Sequence, residues 1–298
     1  MQIKFYDRHS GQIQTEKVMA GKSLEWLYSS LLGKTFLPLL TRRFISKLSG
    51  WYQNRPSSVK SIPAFVSNYN IEMNDFVREQ KEGEGYSHFN SFFIRRYKDG
   101  LRPFVQEQKV MPAFCEARYF AVDKVTSEMT FPVKGQFLRA KDLLANSKWS
   151  STFEEGPLMI ARLCPVDYHW FHFPDDGKIL DQYTIPGAFH SVSPLALAHK
   201  PEVFCVNERQ VSILETENFG KLAYIEVGAL CVGRIVQTYK GETFKRGEAK
   251  GHFLFGGSTV ILLGEKGAWR PADDLLYYSQ NKVETLLRLG VSAAFKSS

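Results

Sequence analysis

The sequence predicts an α+β protein, in which a helical N-terminal region at residues 1–104 precedes a β-rich core at residues 105–298. Before residue 104, apolar residues recur at the three- and four-residue spacing of an amphipathic helix. After it, short segments rich in β-branched and aromatic residues alternate with Gly, Pro, Asn and Asp, as in strands joined by turns. With 298 residues and 44% hydrophobic content, the chain is long enough to bury a substantial core.

The clearest helical pattern runs from Ser23 to Trp51, and Pro38 is expected to interrupt or begin a helix within it. Basic residues and tryptophans flank the apolar positions, as in helices that lie at a membrane interface. A helical hairpin packed against the core explains the same pattern equally well, so both alternatives stay open. The apolar positions are Leu24, Leu27, Leu31, Phe36, Leu40, Phe44 and Leu48, the basic positions Lys34, Arg42, Arg43 and Lys47, and the tryptophans Trp26 and Trp51.

Two more helices are predicted in this region, one at Pro63–Arg78 and one that follows an N-cap at Ser87 and ends near Arg96. In the core, a short helix is predicted near Lys141–Asn146, and Ser279–Leu289 is expected to form a closing helix or turn. The predicted strands are Ala117–Val122, Met159–Leu163, Val211–Thr216, Ala223–Val227, Val232–Thr238 and Thr259–Leu263.

The net charge of +7 favours an acidic partner, either nucleic acid or an anionic membrane surface. Because no nucleic-acid-binding motif is present, the membrane surface is the favoured partner. The four cysteines, Cys115, Cys164, Cys205 and Cys231, are widely spaced, which predicts reduced thiols rather than a zinc site or a disulfide framework. Neither a signal peptide nor a membrane-spanning run is expected.

Ser258 is the first candidate for chemistry, because it follows Gly256 and Gly257. Two glycines allow backbone conformations that are closed to other residues. A strained peptide there would bring the serine hydroxyl near the preceding carbonyl carbon, the arrangement that an N-to-O acyl shift requires. Taken alone, however, Gly-Gly-Ser is more typical of a turn between two strands.

His169 and His172 are the second candidates, because they lie three residues apart among aromatic residues. Such a pair could bind a metal, but no third ligand of matching spacing is evident. It could also transfer protons, since the pKa of histidine lies near neutral pH. Taken alone, each histidine is more typical of a structural residue.

Taken together, these segments resemble the phosphatidylserine decarboxylase family, over roughly residues 60–265. Asp167–Pro174 resembles the family's Asp-Tyr-His-x-x-His-x-Pro run, and Phe253–Thr259 resembles its Phe-x-Phe-Gly-Gly-Ser-Thr run. The remaining matches occur in the family's order: Phe89–Lys98 with Arg102 and Pro103, Val133–Gln136, Leu143 and Leu144, Val206–Arg209, Val227–Ala229, and Val232 with Gly233.

The resemblance implies a self-cleaving proenzyme in which Ser258 becomes a covalent pyruvoyl cofactor. His172 would remove the Ser258 hydroxyl proton, oriented by Glu116, so that the oxygen attacks the Gly257 carbonyl and forms an ester. Loss of the Ser258 α-proton would then expel the Gly257 carboxylate. Hydrolysis of the resulting dehydroalanine would leave the pyruvoyl group and ammonia.

Cleavage would give a β chain of residues 1–257 and an α chain of residues 258–298, held together as a heterodimer. The implied reaction is decarboxylation of phosphatidylserine to phosphatidylethanolamine through a Schiff base with the pyruvoyl group. His169 would assist near the substrate carboxylate or in reprotonation. With this family context, residues 23–51 are expected to dock the protein peripherally on the cytoplasmic face of a bacterial plasma membrane, so deleting residues 1–50 should abolish liposome binding but not self-cleavage.

The sequence departs from the family pattern at Glu116, which falls where the family has an aspartate. Asp123 is a less favoured substitute for that orienting residue. Two other functions stay open: a pyruvoyl decarboxylase of a soluble amino acid, and a non-catalytic β-rich lipid-binding module derived from the family. An ordinary hydrolase is disfavoured, because Ser258 lacks a Gly-x-Ser-x-Gly elbow.

Overall fold

The computed structural model describes residues 3–77, 85–125, 139–200, 202–230, 234–256 and 258–297. Its α-helices are α1 (Gly21–Ser29), α2 (Leu31–Leu40), α3 (Arg43–Gln53), α4 (Ile62–Tyr69), α5 (Phe89–Phe93), α6 (Ala140–Leu144), α7 (Ser147–Ser150), α8 (Pro194–Leu197), α9 (Val203–Val206) and α10 (Asp273–Gln280). Its strands are β1 (Lys4–Asp7), β2 (Gln12–Thr15), β3 (Val110–Pro112), β4 (Ala117–Val122), β5 (Leu158–Leu163), β6 (Trp170–His172), β7 (Gly177–Ile185), β8 (Arg209–Thr216), β9 (Gly220–Val227), β10 (Ile235–Gln237), β11 (Thr243–Phe244), β12 (Ala249–Phe253), β13 (Ser258–Gly264), β14 (Trp269–Pro271), β15 (Glu284–Leu287) and β16 (Ser292–Lys296).

The described strands form three sheets, and these confirm a mixed architecture of helices and sheets. A ten-stranded sheet runs in the order β11-β7-β8-β9-β13-β5-β4-β15-β1-β2, and two three-stranded sheets run β10-β12-β6 and β14-β16-β3. β13 lies between β9 and β5 at the centre of the large sheet. Residues Val260–Leu263 of this strand are fully buried, as expected for a central strand in a sheet that is covered on both faces.

The N-terminal region begins with a β-hairpin that the sequence pattern did not predict. β1 pairs in parallel with β15, and β2 forms the edge of the large sheet. After the hairpin, Glu16 forms ion pairs with Arg118 and Arg162, which lie opposite each other on β4 and β5. Burial alone would raise the pKa of Glu16, but the two arginines lower it to about 2. Residues 3–16 are therefore attached to the large sheet.

Three short helices occupy the segment predicted to dock on a membrane. The prediction that Pro38 interrupts or begins a helix is wrong, because Pro38 lies inside α2. α1 and α2 are joined at Ser30, whose side chain accepts a hydrogen bond from the Gly33 amide. Several hydrogen bonds attach the helices to the core, among them one from the Ser191 amide to the Tyr28 hydroxyl and one from the Phe189 amide to the Thr41 carbonyl. Only part of this helical surface faces the core.

The predicted core elements correspond closely to the observed ones. The strand predictions match β4, β5, β8, β9 and β13, and the helix predicted near Lys141 is α6. The predicted strand Val232–Thr238 contains β10, but its first two residues lie outside the described residues. The other predicted positions outside the described residues are Arg78, Val133–Gln136, Cys231 and Gly257. The prediction for Ser279–Leu289 is wrong, because α10 ends at Gln280 and β15 follows.

A fully buried ion pair connects the large sheet to one of the small sheets. Lys250 on β12 donates to Glu226 on β9 with an Nζ–Oε1 distance of 2.5 Å, and its second bond goes to the Gln237 side chain at 3.0 Å. Burial raises the pKa of Glu226 and lowers that of Lys250, while the attraction between them opposes both shifts. Removing either partner alone would leave a buried charge unpaired, so the pair fixes how the two sheets pack.

Candidate active site

The loop between β12 and β13 brings the chain to Ser258. Gly256 adopts a φ of +139°, a conformation that residues with side chains rarely adopt. Ser258 then begins the central strand, with its backbone opposite Leu163 of β5. Ser258 is therefore the first residue of this central strand and follows a loop whose last described residue is Gly256.

Helix α5 holds this loop in place. The Phe255 amide donates to the Asn90 side-chain oxygen at 2.8 Å, and Asn90 is fully buried. The Phe255 ring packs edge-on against Phe89 and Phe93, with centroid distances of 5.0 and 5.2 Å. The helix begins at His88, whose side chain accepts from the Ser91 amide, so the N-cap is one residue beyond the predicted Ser87.

His169 lies directly beneath the loop. Its carbonyl accepts a hydrogen bond from the Phe253 amide, and its ring stacks on Phe93 at a centroid distance of 3.7 Å. Both ring nitrogens are buried and have no hydrogen-bond partner among the described residues. Burial and the nearby Arg95 charge lower the pKa of His169 to about 3, although the backbone of Pro165 and Cys164 opposes the shift, so the ring is neutral at neutral pH. Such orphaned polar atoms in a core are costly, and they mark a place where another group is expected to bind.

His172 lies at the other end of β6, opposite Ala249 of β12. Its Nδ1 atom is 2.9 Å from the Gly247 carbonyl oxygen, and its Nε2 atom is 3.5 Å from the Tyr168 hydroxyl. The rings of Phe104 and Tyr168 flank it, at centroid distances of 5.4 and 5.9 Å. Burial lowers the pKa of His172 to about 4, which leaves its ring neutral and able to accept a proton.

No hydrogen bond joins the side chains of Glu116 and His172 within the described residues. The Glu116 carboxylate accepts instead from the Tyr97 hydroxyl at 2.5 Å, from Arg102 Nε at 2.7 Å and from the Leu289 amide at 3.1 Å. The Tyr97 ring lies 4.8 Å from the Tyr168 ring, so Glu116 reaches His172 through two tyrosines.

Asp123, the less favoured substitute, lies away from these residues. It is exposed and 3.7 Å from Arg270, in a surface ion pair. The structure thus groups the loop before Ser258 with His169, and Glu116 with the surroundings of His172, but it does not place Asp123 with either. Tyr97 and Tyr168 lie within two of the matched motifs but were not predicted as site residues, and Gly247 lies outside the motifs. Their contacts with Glu116 and His172 are revealed by the fold.

A cavity of about 490 Å³ opens beside the loop and is lined by Phe255 and Gly256. Its apolar walls include Phe5, Val18, Leu24, Val192 and Leu230. Arg118 and Arg162 also line it, but the carboxylates of Glu16, Asp167 and Glu284 already pair with them. The cavity therefore suits a mainly apolar group beside Phe255 and Gly256.

Two further findings concern metal ligands and membrane-spanning helices. Across the described ranges, no group of three or more His, Cys, Asp or Glu side chains is arranged to hold a metal ion. None of the described helices is both long and apolar enough to cross a membrane.

The comparisons with known proteins agree on one family. The sequence profile described as "Phosphatidylserine decarboxylase" matches residues 89–285. A phosphatidylserine decarboxylase proenzyme of Fusobacterium nucleatum is 38% identical over 290 residues, which cover 97% of this chain and 96% of that protein. The proenzyme of Clostridium perfringens is 36% identical over 296 residues, covering 99% and 100%, and that of Clostridium tetani is 38% identical over 290 residues, covering 97% and 96%.

Proposed function

The chain belongs to the phosphatidylserine decarboxylase family, and we propose that it converts phosphatidylserine to phosphatidylethanolamine with a pyruvoyl group made from its own Ser258. The observation that carries this proposal is the loop before Ser258, which is held against the buried, unpartnered His169 and beside an apolar cavity. The relatives align over 97% and 99% of this chain, which supports assigning their reaction to it.

The pyruvoyl group would arise by self-cleavage between Gly257 and Ser258, giving a β chain of residues 1–257 and an α chain of residues 258–298. The α chain would begin with β13, which lies between β9 and β5 of the β chain. Its β15 likewise lies between β1 and β4. Because these ladders remain after the peptide bond breaks, the two chains would stay together as a heterodimer.

Three side chains would divide the chemistry between them. His172, neutral because of its burial, would accept the proton of the Ser258 hydroxyl during self-cleavage. Glu116 would help to position it. His169 would act in decarboxylation, because its neutral ring offers one donor and one acceptor that no described residue uses.

The residues around the loop fit the pyruvoyl group. When formed, this group supplies an electron sink for the bond that breaks as carbon dioxide leaves. The His169 ring provides a hydrogen-bonding partner in otherwise apolar surroundings, where Phe93 and Phe255 exclude water. The cavity at Gly256 would hold the part of the lipid that adjoins the headgroup.

The activity assay that tests this proposal offers the protein two substrates. Vesicles that contain phosphatidylserine should release carbon dioxide and accumulate phosphatidylethanolamine, whereas free L-serine should be consumed at a negligible rate. Equal rates on free serine would favour a decarboxylase of a soluble amino acid. No release from either substrate by the cleaved protein would favour the lipid-binding module.

Helices α1–α3 would dock the protein on an anionic membrane, at the cytoplasmic face of a bacterial plasma membrane. Their large apolar side chains are unusually exposed, from 49% for Leu48 to 86% for Leu31. The exposed set on these helices is Trp26, Leu31, Leu32, Phe36, Leu39, Phe44, Leu48, Trp51 and Tyr52. An apolar surface of this extent, on a chain of net charge +7, suits an anionic lipid interface.

Replacing Leu31, Phe36, Phe44 and Trp51 together by glutamine should lower partitioning onto phosphatidylserine-containing liposomes at least about 100-fold, as measured by flotation. Glutamine preserves helix propensity better than most polar residues. Point substitutions test membrane docking more specifically than deletion of residues 1–50, because that deletion also removes β1 and the buried Glu16.

The matched control replaces four exposed apolar residues outside these helices, Ile13, Leu101, Tyr277 and Phe295, by glutamine. It should float with liposomes as the unaltered protein does. Self-cleavage should proceed in both variants, because neither set lies at the loop before Ser258. Undiminished flotation of the helix variant would refute the docking surface.

A further inference from the structure

We propose that the backbone carbonyl of Gly247, and not a carboxylate, fixes the tautomer of His172, while Tyr168 holds the opposite ring nitrogen and Glu116 acts indirectly through Tyr97. Gly247, Tyr168, Tyr97 and Glu116 are then positioning residues for the base. The inference rests on the proposed self-cleavage only for the role of His172, and the tautomer itself can be measured without that reaction.

The tautomer follows from which groups can donate. A carbonyl oxygen only accepts hydrogen bonds, so the 2.9 Å contact with the Gly247 oxygen requires a proton on Nδ1 of His172. In the neutral ring, Nε2 then carries the free electron pair. The Tyr168 hydroxyl, 3.5 Å from Nε2, is its hydrogen-bond donor. The ring is thus prepared to accept a proton on Nε2.

The Gly247 carbonyl is held firmly enough to perform this role. Gly247 has a φ of +80°, and its amide donates to the Phe173 carbonyl at 2.9 Å. A Cβ atom added there would lie only 3.1 Å from the Phe104 ring, which also flanks His172. The turn therefore requires glycine, and it aims a backbone acceptor at the imidazole.

Glu116 is already occupied by other partners. Its carboxylate binds Arg102 and the Tyr97 hydroxyl, and the Arg102 guanidinium lies 4.2 Å from the centroid of the Tyr97 ring. The Leu289 amide, which would belong to the α chain, also donates to it. The charge of Glu116 thus holds Tyr97 beneath Tyr168 and joins the two prospective chains.

The other groups that face His172 set the baseline of its titration. Burial lowers its pKa most, the Gly247 carbonyl opposes that shift, and the Arg96 charge lowers the pKa further. From β9, the Tyr224 hydroxyl donates to the backbone carbonyl of His172 and not to its ring. Glu116 lies behind the two tyrosines.

The direct test is nitrogen-15 NMR of histidine-labelled Ser258→Ala protein, in which the chain stays uncleaved. A His172→Gln version identifies the signal of His172. A protonated Nδ1 and an unprotonated Nε2 are expected at neutral pH. The opposite tautomer would overturn the inference whether or not the unaltered chain cleaves itself, so this result is independent of the proposed function.

The functional test measures the self-cleavage rate against pH in freshly translated protein. Tyr168→Phe removes a donor that favours the unprotonated Nε2, so the pKa of His172 rises and the acid limb moves about 0.5–1 pH unit upward. Tyr183→Phe is the matched control, since that hydroxyl donates to the Leu144 carbonyl elsewhere, and its profile should stay unchanged.

Glu116→Gln separates the indirect role from a direct one. An acidic residue that orients a catalytic histidine directly is worth about 10⁴-fold in rate. Because Glu116 acts through Tyr97, the Glu116→Gln variant should cleave at most about tenfold more slowly. The acid limb of its pH–rate profile should stay in place. A loss of about 10⁴-fold, combined with an unshifted profile for Tyr168→Phe, would overturn the inference.

Discussion

Replacing Ser258 by alanine is expected to leave one uncut chain of 298 residues, with no decarboxylase activity. Without the hydroxyl no ester can form at Gly257, so neither chain separation nor the pyruvoyl group can follow. The loss should be complete, because no other residue can supply both the nucleophile and the cofactor. Denaturing gel electrophoresis and a vesicle assay measure the two outcomes.

Ser10→Ala provides the matched control for this variant. Ser10 lies in the exposed turn between β1 and β2, where its hydroxyl donates to the Asp7 carboxylate, so its removal should cost little. This variant should cleave and decarboxylate as the unaltered chain does. A Ser258→Ala chain that still separates into two pieces at this point would show that Ser258 is not the nucleophile.

The two histidines are expected to give opposite phenotypes. His172→Gln should block self-cleavage, whereas His169→Gln should cleave normally and then decarboxylate about 10²- to 10⁴-fold more slowly, the usual contribution of a proton-transferring group. The reason lies in their surroundings: His172 has its ring nitrogens engaged by Gly247 and Tyr168, while both nitrogens of His169 have no described partner.

Gel electrophoresis of the freshly made protein measures the first step of this pair, and carbon dioxide release by the cleaved fraction measures the second. A His169→Gln chain that fails to cleave would assign both histidines to self-cleavage. A His172→Gln chain that cleaves at the normal rate would remove His172 as the base.

Much of the core was predictable from sequence because its strands bury both faces. Ala117–Val122 is predicted and observed as β4, and the pattern around Val260 locates β13 within one residue at each end. Such runs of β-branched and aromatic residues have few alternatives. By contrast, Glu284–Leu287 forms β15, which pairs with β1 on one side and β4 on the other. Local sequence does not predict these partners, because they are distant in the chain.

The sequence motifs predict candidate site residues but not the contacts that those residues make. Motifs identified His172 and Ser258, and alignment placed Glu116 at the family's aspartate. What the side chain of Glu116 binds depends on Arg102 and Tyr97, whose positions follow from the packing of the segment after α5. Every residue has a backbone carbonyl, so a pattern of side chains cannot predict that the Gly247 carbonyl contacts His172. Only the fold reveals that contact.

Intact mass measurement of the purified, unaltered protein tests the central claim most directly. The account predicts two chains that meet between Gly257 and Ser258. The α chain should be blocked at its N-terminus and lighter, by one ammonia, than a chain that begins with serine. A single chain of 34.1 kDa that stays uncut under conditions of assay would contradict the account, and so would an α chain with a free serine amine.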